Sequence, residues 1–246
     1  MTGIPPAGGR PTDVRSVSEH AETELRHFWD RCGLDSEAWP AASRNFRRLR
    51  DLVGIHNAEA GLMGPGWAEH FHTKHVADSL ALLLACGDLL AGNVVAADVG
   101  SGAGLPGIVL AIACPLLRLT AIESNAKKAR FVALAAARLG LGGRVEVVAR
   151  RSREVARQAD CRRRFQLVVA RAVAPAGKLI RDCHALIAPG GSAFFYKTPR
   201  GVNAELPLAR REAAKHKLAV ETSQIVELPG GAGSRQFIRI IAPGPT

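Results

Sequence analysis

Four glycines within eight residues mark the stretch of this sequence with the clearest chemical potential. Gly100, Gly102, Gly104 and Gly107 follow an apolar, β-branched run at 94–99 and precede a second apolar run of helical character. A strand, a glycine loop and a helix in this order are typical of a nucleotide-type site, because glycine lets the backbone turn tightly and approach a ligand closely. The helix that follows directs unpaired N–H groups and a partial positive charge at anionic ligand groups.

Two classes of ligand match this loop. The spacing Gly102-x-Gly104-x-x-Gly107 fits the dinucleotide fingerprint G-x-G-x-x-G. The longer pattern D-x-G-x-G-x-G, which begins at Asp98, resembles motif I of S-adenosylmethionine (SAM) methyltransferases. A carboxylate at the strand tip would repel a pyrophosphate, whereas it suits the amino group at the methionine end of SAM. The residues therefore favour SAM over a dinucleotide, and a ligand site over a purely structural turn.

A second acid, Glu123, ends the next predicted strand, about 20 residues after Gly104. An acid at this distance accepts hydrogen bonds from ribose hydroxyls in adenosyl sites. NAD and SAM share this feature, so Glu123 predicts an adenosyl ligand without choosing between the two. The third predicted strand leads into Ser152 and Arg153, which we expect to border the adenine through their backbone.

Two cations end later strands on the same predicted rim. Arg171, after the fourth strand, is placed to pair bidentately with the SAM carboxylate or with an RNA phosphate. The alternative is a salt bridge from Arg171 to Asp98 or Glu123. Lys197 ends the fifth strand and is a second candidate for phosphate binding.

A histidine-rich segment, HFHTKHVADSL, precedes the glycine loop. His75 and Asp78 are spaced i,i+3 and therefore share one face of a helix. With His72 they resemble a set of metal ligands, but catalytic zinc sites of the H-E-x-x-H type use an i,i+4 histidine pair. We expect no metal here and interpret the segment as a polar patch over the ligand cleft.

The net charge of +11 suggests a polyanionic partner, although a basic surface that serves only solubility is an equal alternative. The distribution favours the partner, since residues 144–164 hold eight arginines against three acids. Aromatic residues make up only 5% of the chain, which argues against base stacking on an aromatic platform.

Length and composition bound the fold class and the compartment. The 246 residues, 47% hydrophobic and 22% charged, are typical of a soluble globular protein with one α/β domain and an extension. Five scattered cysteines without a C-x-x-C pair indicate reduced thiols rather than disulfides or a zinc site. Neither a transmembrane run nor the apolar core of a signal peptide is found. We therefore expect a cytoplasmic protein without membrane contact.

Alternating strand and helix patterns must position these residues. Residues 1–15 are rich in Pro and Gly and predict a disordered tail, residues 16–92 predict a helical extension, and residues 93–246 predict the catalytic domain on which it packs. The order of elements predicts a doubly wound, mostly parallel, seven-stranded α/β sheet with the ligand at the carboxyl ends of its strands. The predicted strands are 94–99, 117–122, 145–148, 167–170, 193–197, 221–228 and 236–242. The predicted helices are 18–31, 41–55, 68–90, 105–113, 126–139 and 175–188.

Four segments together resemble the bacterial RsmG family, also called glucose-inhibited division protein B. They are KHVADSL at 74–80, DVGSGAGLPG at 98–107, ESNAKKARF at 123–131 and ARAVAP at 170–175. The resemblance extends from about residue 41 to the end of the chain. It implies a class I SAM-dependent, Rossmann-like methyltransferase that acts on N7 of a guanine in the 530 loop of 16S ribosomal RNA, in the small ribosomal subunit.

The resemblance also implies site residues, which complete the sets inferred above. The predicted SAM contacts are Asp98, Gly100, Gly102, Gly104, Leu105, Glu123, Ser152, Arg153 and Arg171. The candidates for RNA binding are Lys127, Lys128, Arg130, Arg150 and Arg151. The candidates for positioning the substrate are Arg171, Lys197, His75 and Asp78.

The implied reaction fits the lack of a recognisable general base. Guanine N7 carries an in-plane lone pair and no proton, so direct SN2 transfer requires alignment rather than proton removal. We expect a monomer that uses neither a metal nor a covalent intermediate. The alternatives are a methyltransferase of another RNA or of a protein, a non-catalytic SAM- and RNA-binding protein of ribosome assembly, and a NAD-dependent oxidoreductase.

Overall fold

The computed structural model describes residues 14–244, in which eight strands and eight α-helices are found. The strands are β1 (Val94–Val99), β2 (Leu117–Ile122), β3 (Val145–Val148), β4 (Phe165–Arg171), β5 (Ile187–Lys197), β6 (Ala219–Thr222), β7 (Val226–Glu227) and β8 (Ser234–Ile241). The helices are α1 (Val14–Arg31), α2 (Trp39–Ala60), α3 (Ala77–Cys86), α4 (Gly107–Ala113), α5 (Ala126–Arg138), α6 (Ser152–Val155), α7 (Ala176–Cys183) and α8 (Pro199–Lys215).

The sheet has the order β3-β2-β1-β4-β5-β8-β6, with the short β7 paired to β8 beside this path. Strands β1 to β5 are parallel, and β8 runs antiparallel between β5 and β6. The chain reverses its direction of winding between β1 and β4, so that a crevice opens at their carboxyl ends. The prediction of a doubly wound, mostly parallel sheet is confirmed.

Both faces of the sheet are covered, which explains the nearly continuous apolar character of the central strands. In β1, Ala96 packs into a core shared with the first five helices, whereas Ala97 and Val99 pack into a core shared with α7 and α8. Side chains alternate between the faces of a strand. Asp98 therefore points to the same face as Ala96, where α4 packs.

Helices α1, α2 and α3 cover one face of the sheet, and an aromatic cluster joins α1 to α2. Trp29 packs edge-on against Trp39 and Phe46, which are both on α2. A single helix was expected at 68–90. The structure divides it into a π-helical turn (Phe71–Val76), α3 and a 3₁₀ turn (Gly87–Leu90). Most of the predicted disordered tail lies outside the described residues, and its last two residues belong to α1.

Three further predictions differ from the structure. Helix α8 was not predicted, because Pro207 and many charged residues obscure its helical pattern. Thr198 caps this helix by accepting a hydrogen bond from the Gly201 N–H. The strand expected at 221–228 is interrupted between β6 and β7. The helix expected to reach residue 188 ends earlier, and β5 begins before the Pro-Gly-Gly sequence that concealed its first half.

All five cysteines lie among the described residues and are free thiols. No helix in the described part of the chain combines the length and the apolar character that crossing a membrane requires.

Candidate active site

The glycine loop lies between β1 and α4, and its backbone requires glycine at specific positions. Gly100 and Gly104 have φ values of +73° and +79°, which side chains rarely adopt. A Cβ on Gly100 would lie 2.5 Å from a methyl group of Val173, and a Cβ on Gly104 would lie 2.7 Å from Ile108. Gly102 also has a positive φ, of +55°, but a Cβ there would meet nothing closer than 3.8 Å.

Asp98 lies beneath this loop and is fully buried. Its Oδ2 accepts a hydrogen bond of 2.9 Å from the Gly107 N–H, at the first residue of α4. Burial raises the pKa of Asp98 to about 7, against the lowering effects of this hydrogen bond and of the nearby Arg171. Its Oδ1 and the Ser101 hydroxyl have no partner among the described residues. Asp98 thus fixes the start of α4 and keeps one oxygen available.

Glu123 follows β2 and joins this strand to the glycine loop. Its two carboxylate oxygens accept hydrogen bonds from the N–H groups of Gly102, at 2.9 Å, and Asn125, at 2.8 Å. The Gly100 N–H donates to the Ile122 carbonyl at 2.8 Å, which holds the loop against the same strand end. Because each carboxylate oxygen has further lone pairs, Glu123 can also accept hydrogen bonds from a ribose.

A cleft of about 150 Å³ lies at the carboxyl ends of β1, β2 and β3. Three predicted SAM contacts, Gly100, Ser152 and Arg153, line it. Arg150 and Arg151, predicted to bind RNA, lie on the same wall. We call it the first cleft. Its other lining residues are Val99, Ile122, Ser124, Val173, Lys178 and Asp182. Leu105 is buried in the core and, like Asp98, Gly102, Gly104 and Glu123, is not among the lining residues of this cleft.

A second cleft, of about 590 Å³, lies beside β4 and β5. All four candidates for positioning the substrate, His75, Asp78, Arg171 and Lys197, line it. Asp78 reaches it from α3, and His75 reaches it from the π-helical turn. A π-helical turn is a backbone irregularity that recurs at functional sites. The structure thus brings these four side chains together, and their roles stay predictions.

Asp78 connects two arginines in the second cleft. It accepts hydrogen bonds from Arg171 Nη1 at 3.0 Å and from Arg235 through Nε and Nη2, the latter at 3.0 Å. The alternative of a salt bridge from Arg171 to Asp98 or Glu123 is therefore wrong, because Asp78 on α3 lies within bonding distance. The carboxylate is nearly buried and holds the two guanidinium groups side by side despite their like charge.

Arg235, at the start of β8, was not identified from the sequence. It is separated from Asp78 by 157 residues, and a single arginine after a glycine-rich turn carries no distinctive pattern.

The remaining polar groups of the second cleft are also held in place. Burial and the neighbouring Arg171 lower the pKa of His75 to about 4, so its imidazole is neutral at pH 7. Lys197 Nζ donates to the Ala174 carbonyl at 3.0 Å and pairs with Glu205 of the missed helix α8, at 2.8 Å. At neutral pH His75 is thus a neutral, weak base, and Lys197 is engaged in an ion pair with Glu205.

His72 does not line the second cleft. It is buried, and the charges that act on it belong to Glu22 of α1 and to residues of α2 such as Arg50. The interpretation of the segment as a polar patch over the cleft therefore holds for His75 and Asp78 only. Within residues 14–244, no three His, Cys, Asp or Glu side chains are grouped so that they could hold a metal ion.

Val173 is the residue that the two clefts share. Its side chain is 44% exposed although it is apolar, and it packs over Gly100. The preceding Ala172 has a φ of +56°, a strained value for a residue with a side chain. Such strain at the end of β4 indicates that the surroundings fix the position of Val173, which the sequence did not reveal.

The other candidates for RNA binding are at the N-terminal end of α5, close to Glu123. Lys127 and Arg130 are exposed and Lys128 is half-buried. Asn125 caps this helix and accepts hydrogen bonds from the N–H groups of Lys127 and Lys128. They lie on the edge of the sheet that carries the clefts, and their contacts with RNA stay a prediction.

The family model described as rRNA small subunit methyltransferase G matches residues 42–237. Curated relatives of that name include one from Synechococcus sp. (strain RCC307), 34% identical over 85% of this chain and 89% of its own length. Another, from Stenotrophomonas maltophilia (strain K279a), is 35% identical over 86% of this chain and 90% of its own length. A third, from Moorella thermoacetica, is 38% identical over 79% of this chain and 80% of its own length.

Two solved structures share the fold at low sequence identity. The O-methyltransferase TomG from Streptomyces achromogenes, solved in complex with SAM, aligns with a TM-score of 0.54 and 19% identity over 78% of this chain and 89% of its own. The [4+2]-cyclase SpnF aligns with a TM-score of 0.52 and 15% identity over 80% of this chain and 95% of its own. The match of the family model and the identity to full-length relatives show that the chain belongs to the rRNA small subunit methyltransferase G family.

Proposed function

We propose that this protein transfers the methyl group of SAM to N7 of a guanine in the 530 loop of 16S rRNA, in the small ribosomal subunit. Membership of the rRNA small subunit methyltransferase G family supports the class of reaction and the substrate. The observation that carries the proposal is that a cleft beside the glycine loop and a basic cleft beside β4 and β5 meet at Val173.

The hydrogen bonds of the glycine loop favour SAM over a dinucleotide. A pyrophosphate would bind to the loop N–H groups and to the first turn of the following helix. Here the Gly102 N–H is used by Glu123, and the Gly107 N–H at the start of α4 is used by Asp98. Two carboxylates therefore occupy donors that a pyrophosphate needs, and the unpartnered Asp98 Oδ1 suits a ligand with a positive group.

The residues of this chain also fit the adenosyl part of SAM. Glu123 would accept hydrogen bonds from the ribose, and the backbone near Ser152 and Arg153 would border the adenine. When bound, SAM supplies a methyl group on a sulfonium, and transfer of that methyl group to the N7 lone pair breaks the C–S bond and leaves a neutral thioether and a cationic purine. Val173, fixed by the strained turn at Ala172, would border both reactants and direct their approach.

The second cleft would hold the guanine nucleotide through the positive charge of its lining residues. Its lining contains four cations, Lys74, Arg171, Lys197 and Arg235, against the carboxylates Asp78 and Glu205. The neutral His75 is not needed as a general base, because guanine N7 carries no proton. Positioning of this kind supplies roughly 7–11 kcal/mol of the barrier in favourable cases, without acid–base chemistry.

The proposal is tested by incubating the protein with tritiated SAM and 30S subunits, or 16S rRNA, from a strain that lacks this modification. Cleavage at 7-methylguanine then maps the label, which we expect at a single guanine of the 530 loop. Label on another base or on protein would contradict the proposal, as would RNA binding without any transfer.

A matched pair of variants links the label to the first cleft. Glu123→Ala removes the predicted ribose acceptor and should abolish transfer. Glu221→Ala makes the same change at an exposed position that pairs only with Arg239 in the described structure, and it should leave transfer unchanged. Thermal melting of both variants separates loss of SAM binding from loss of folding.

A further inference from the structure

A third cleft, of about 330 Å³, continues from the first cleft along the molecular surface. Arg153 and Asp182 line both clefts, so the two form one continuous surface. The third cleft is formed by α6, the turn before β4, and the end of α7. Its lining residues are Arg153, Ala156, Arg157, Arg162, Arg181, Asp182, His184 and Ala185.

The positive charge of this cleft is not neutralised from within. Its only acidic lining residue, Asp182, pairs with Lys178. Arg181 pairs with Glu212 at 3.2 Å, whereas Arg153, Arg157 and Arg162 form no salt bridge with any residue of 14–244. A charged surface that serves only solubility usually intersperses both signs. Three exposed arginines around a concavity instead leave room for an anion.

The position of Arg162 is set by its neighbour. Arg163 has a φ of +55°, a left-handed conformation that costs energy for any residue with a side chain. Its N–H donates a hydrogen bond of 2.7 Å to the carbonyl of Ala185, on the opposite wall of the cleft. The turn before β4 is thereby tied to the end of α7, which keeps Arg162 at the rim.

We infer that the third cleft binds phosphodiester groups of the substrate RNA, as an extension of the surface that presents the guanine. This inference rests on the proposed function. Guanidinium groups bind phosphate bidentately, and the small walls at Ala156 and Ala185 let a nucleic-acid backbone approach closely. No Phe, Tyr or Trp lines the cleft, and its one imidazole, that of His184, is stacked on His216, so the contact reads backbone charge rather than sequence.

Continuity with the first cleft favours RNA over an acidic protein as the occupant. An RNA strand whose guanine reaches Val173 passes directly beside this surface, since Arg153 belongs to both clefts. A protein partner of comparable specificity would need an apolar anchor in addition to charge, and the only apolar lining residues here are two alanines.

The test compares two double variants that remove the same charge from opposite faces of the sheet. Arg157→Gln/Arg162→Gln alters the third cleft. The control, Arg44→Gln/Arg48→Gln, alters exposed positions on α2. The dissociation constant for 16S rRNA fragments containing the 530 loop is measured over a range of KCl concentrations. SAM affinity is measured by calorimetry, and KM and kcat are measured with 30S subunits.

For the Arg157/Arg162 variant we expect RNA binding about tenfold weaker at low salt, and a salt dependence shallower by about 1.4 to 1.8 in log–log slope, the value for two lost phosphate contacts. The KM for 30S should rise while kcat and SAM affinity stay unchanged. A slope and KM equal to those of the control would overturn the inference. So would a raised KM for 30S with unchanged binding to RNA, which would indicate a protein occupant. The salt dependence of RNA binding is measured without methyl transfer. A failure of this inference can therefore be distinguished from a failure of the proposed function.

Discussion

Substitution of alanine for Gly100 and for Gly102 should have very different effects on SAM binding, although both glycines belong to the same motif. Both have positive φ values, so each alanine costs about 1–2 kcal/mol in backbone strain. For a chain of this size, that corresponds to a fall in Tm of roughly 2–8 °C. Strain alone therefore does not separate the two variants.

The surroundings of the added methyl group do separate them. At Gly102 the nearest atom is the Gly100 carbonyl oxygen, 3.8 Å away, which is an ordinary contact. At Gly100 the new Cβ would lie 2.5 Å and 3.1 Å from the two methyl groups of Val173. Val173 must then move, and it lines both the first and the second cleft. We expect Gly100→Ala to weaken SAM binding at least tenfold, and Gly102→Ala by about threefold or less, in line with the cost of overpacking, about 1–3 kcal/mol.

A second substitution turns this expectation into a stringent test. In Gly100→Ala/Val173→Ala the colliding methyl groups are absent, so SAM affinity should return to that of Val173→Ala alone. The two sites should therefore be strongly non-additive in a double-mutant cycle. Calorimetric titration with SAM measures the four affinities, and thermal melting measures stability. The reasoning is refuted if Gly100→Ala binds SAM like the wild type, or if the two substitutions weaken binding additively.

Three further predictions concern titratable groups. Burial raises the pKa of Asp98 to about 7, so wild-type stability should fall as pH rises from about 4 to 8, because the unfolded chain releases this proton first. Asp98→Asn cannot ionise and should gain up to about 4 kcal/mol relative to wild type over that window, and an equal pH dependence in chemical denaturation of both proteins would contradict this. Asp78→Ala should cost about 3–5 kcal/mol in denaturant unfolding, because Arg171 and Arg235 are left adjacent and unpaired; a loss under 1 kcal/mol would show that water replaces the carboxylate. Since the pKa of His75 is lowered to about 4, His75→Gln should not change the shape of the kcat profile between pH 6 and 8.5 at saturating SAM, and the appearance or loss of a titration there would assign it a role in proton transfer.

The glycine loop, the parallel strands and the carboxyl-end cleft could be predicted because each depends on residues close in sequence. β-branched runs alternate with helical runs, and Glu123 and Arg171 end strands whose carboxyl ends must meet at one edge. The partners within the site could not be predicted in this way. Arg235 and Asp78 are 157 residues apart, and the antiparallel pairing of β8 that places Arg235 depends on the complete sheet.

Prediction also failed where local preferences are overridden. Ala172 and Arg163 adopt left-handed conformations that no sequence rule assigns to alanine or arginine. Each is held by tertiary structure, and each fixes a neighbour, Val173 or Arg162, at the rim of a cleft. Two of the three left-handed non-glycine residues in the described chain therefore adjoin sites where function is proposed, as expected when local strain is tolerated for positioning, whereas the third, Lys217, follows α8 away from the clefts.

Methyl transfer to N7 moves a positive charge from the donor to the guanine. The charged residues of this chain make this displacement of charge unfavourable. The positive charge would leave the surroundings of Asp98 and Glu123, and the product would carry it into a cleft with four cations and two carboxylates. Protein charges alone therefore oppose the transfer, unless the phosphates of the RNA compensate those cations. The substrate backbone would then contribute to the rate as well as to affinity.

This reasoning predicts a dependence on phosphates that flank the target guanine. Short RNA oligonucleotides in which the two flanking phosphodiesters are replaced by neutral methylphosphonates should be methylated with a lower kcat, not merely a higher KM. The deficit should shrink at high salt, because added ions screen the uncompensated cations of the second cleft. Oligonucleotides with neutral linkages at distant positions control for lost affinity. An unchanged kcat for the flanking replacements would show that Asp78 and Glu205 suffice to balance the charge on the methylated base.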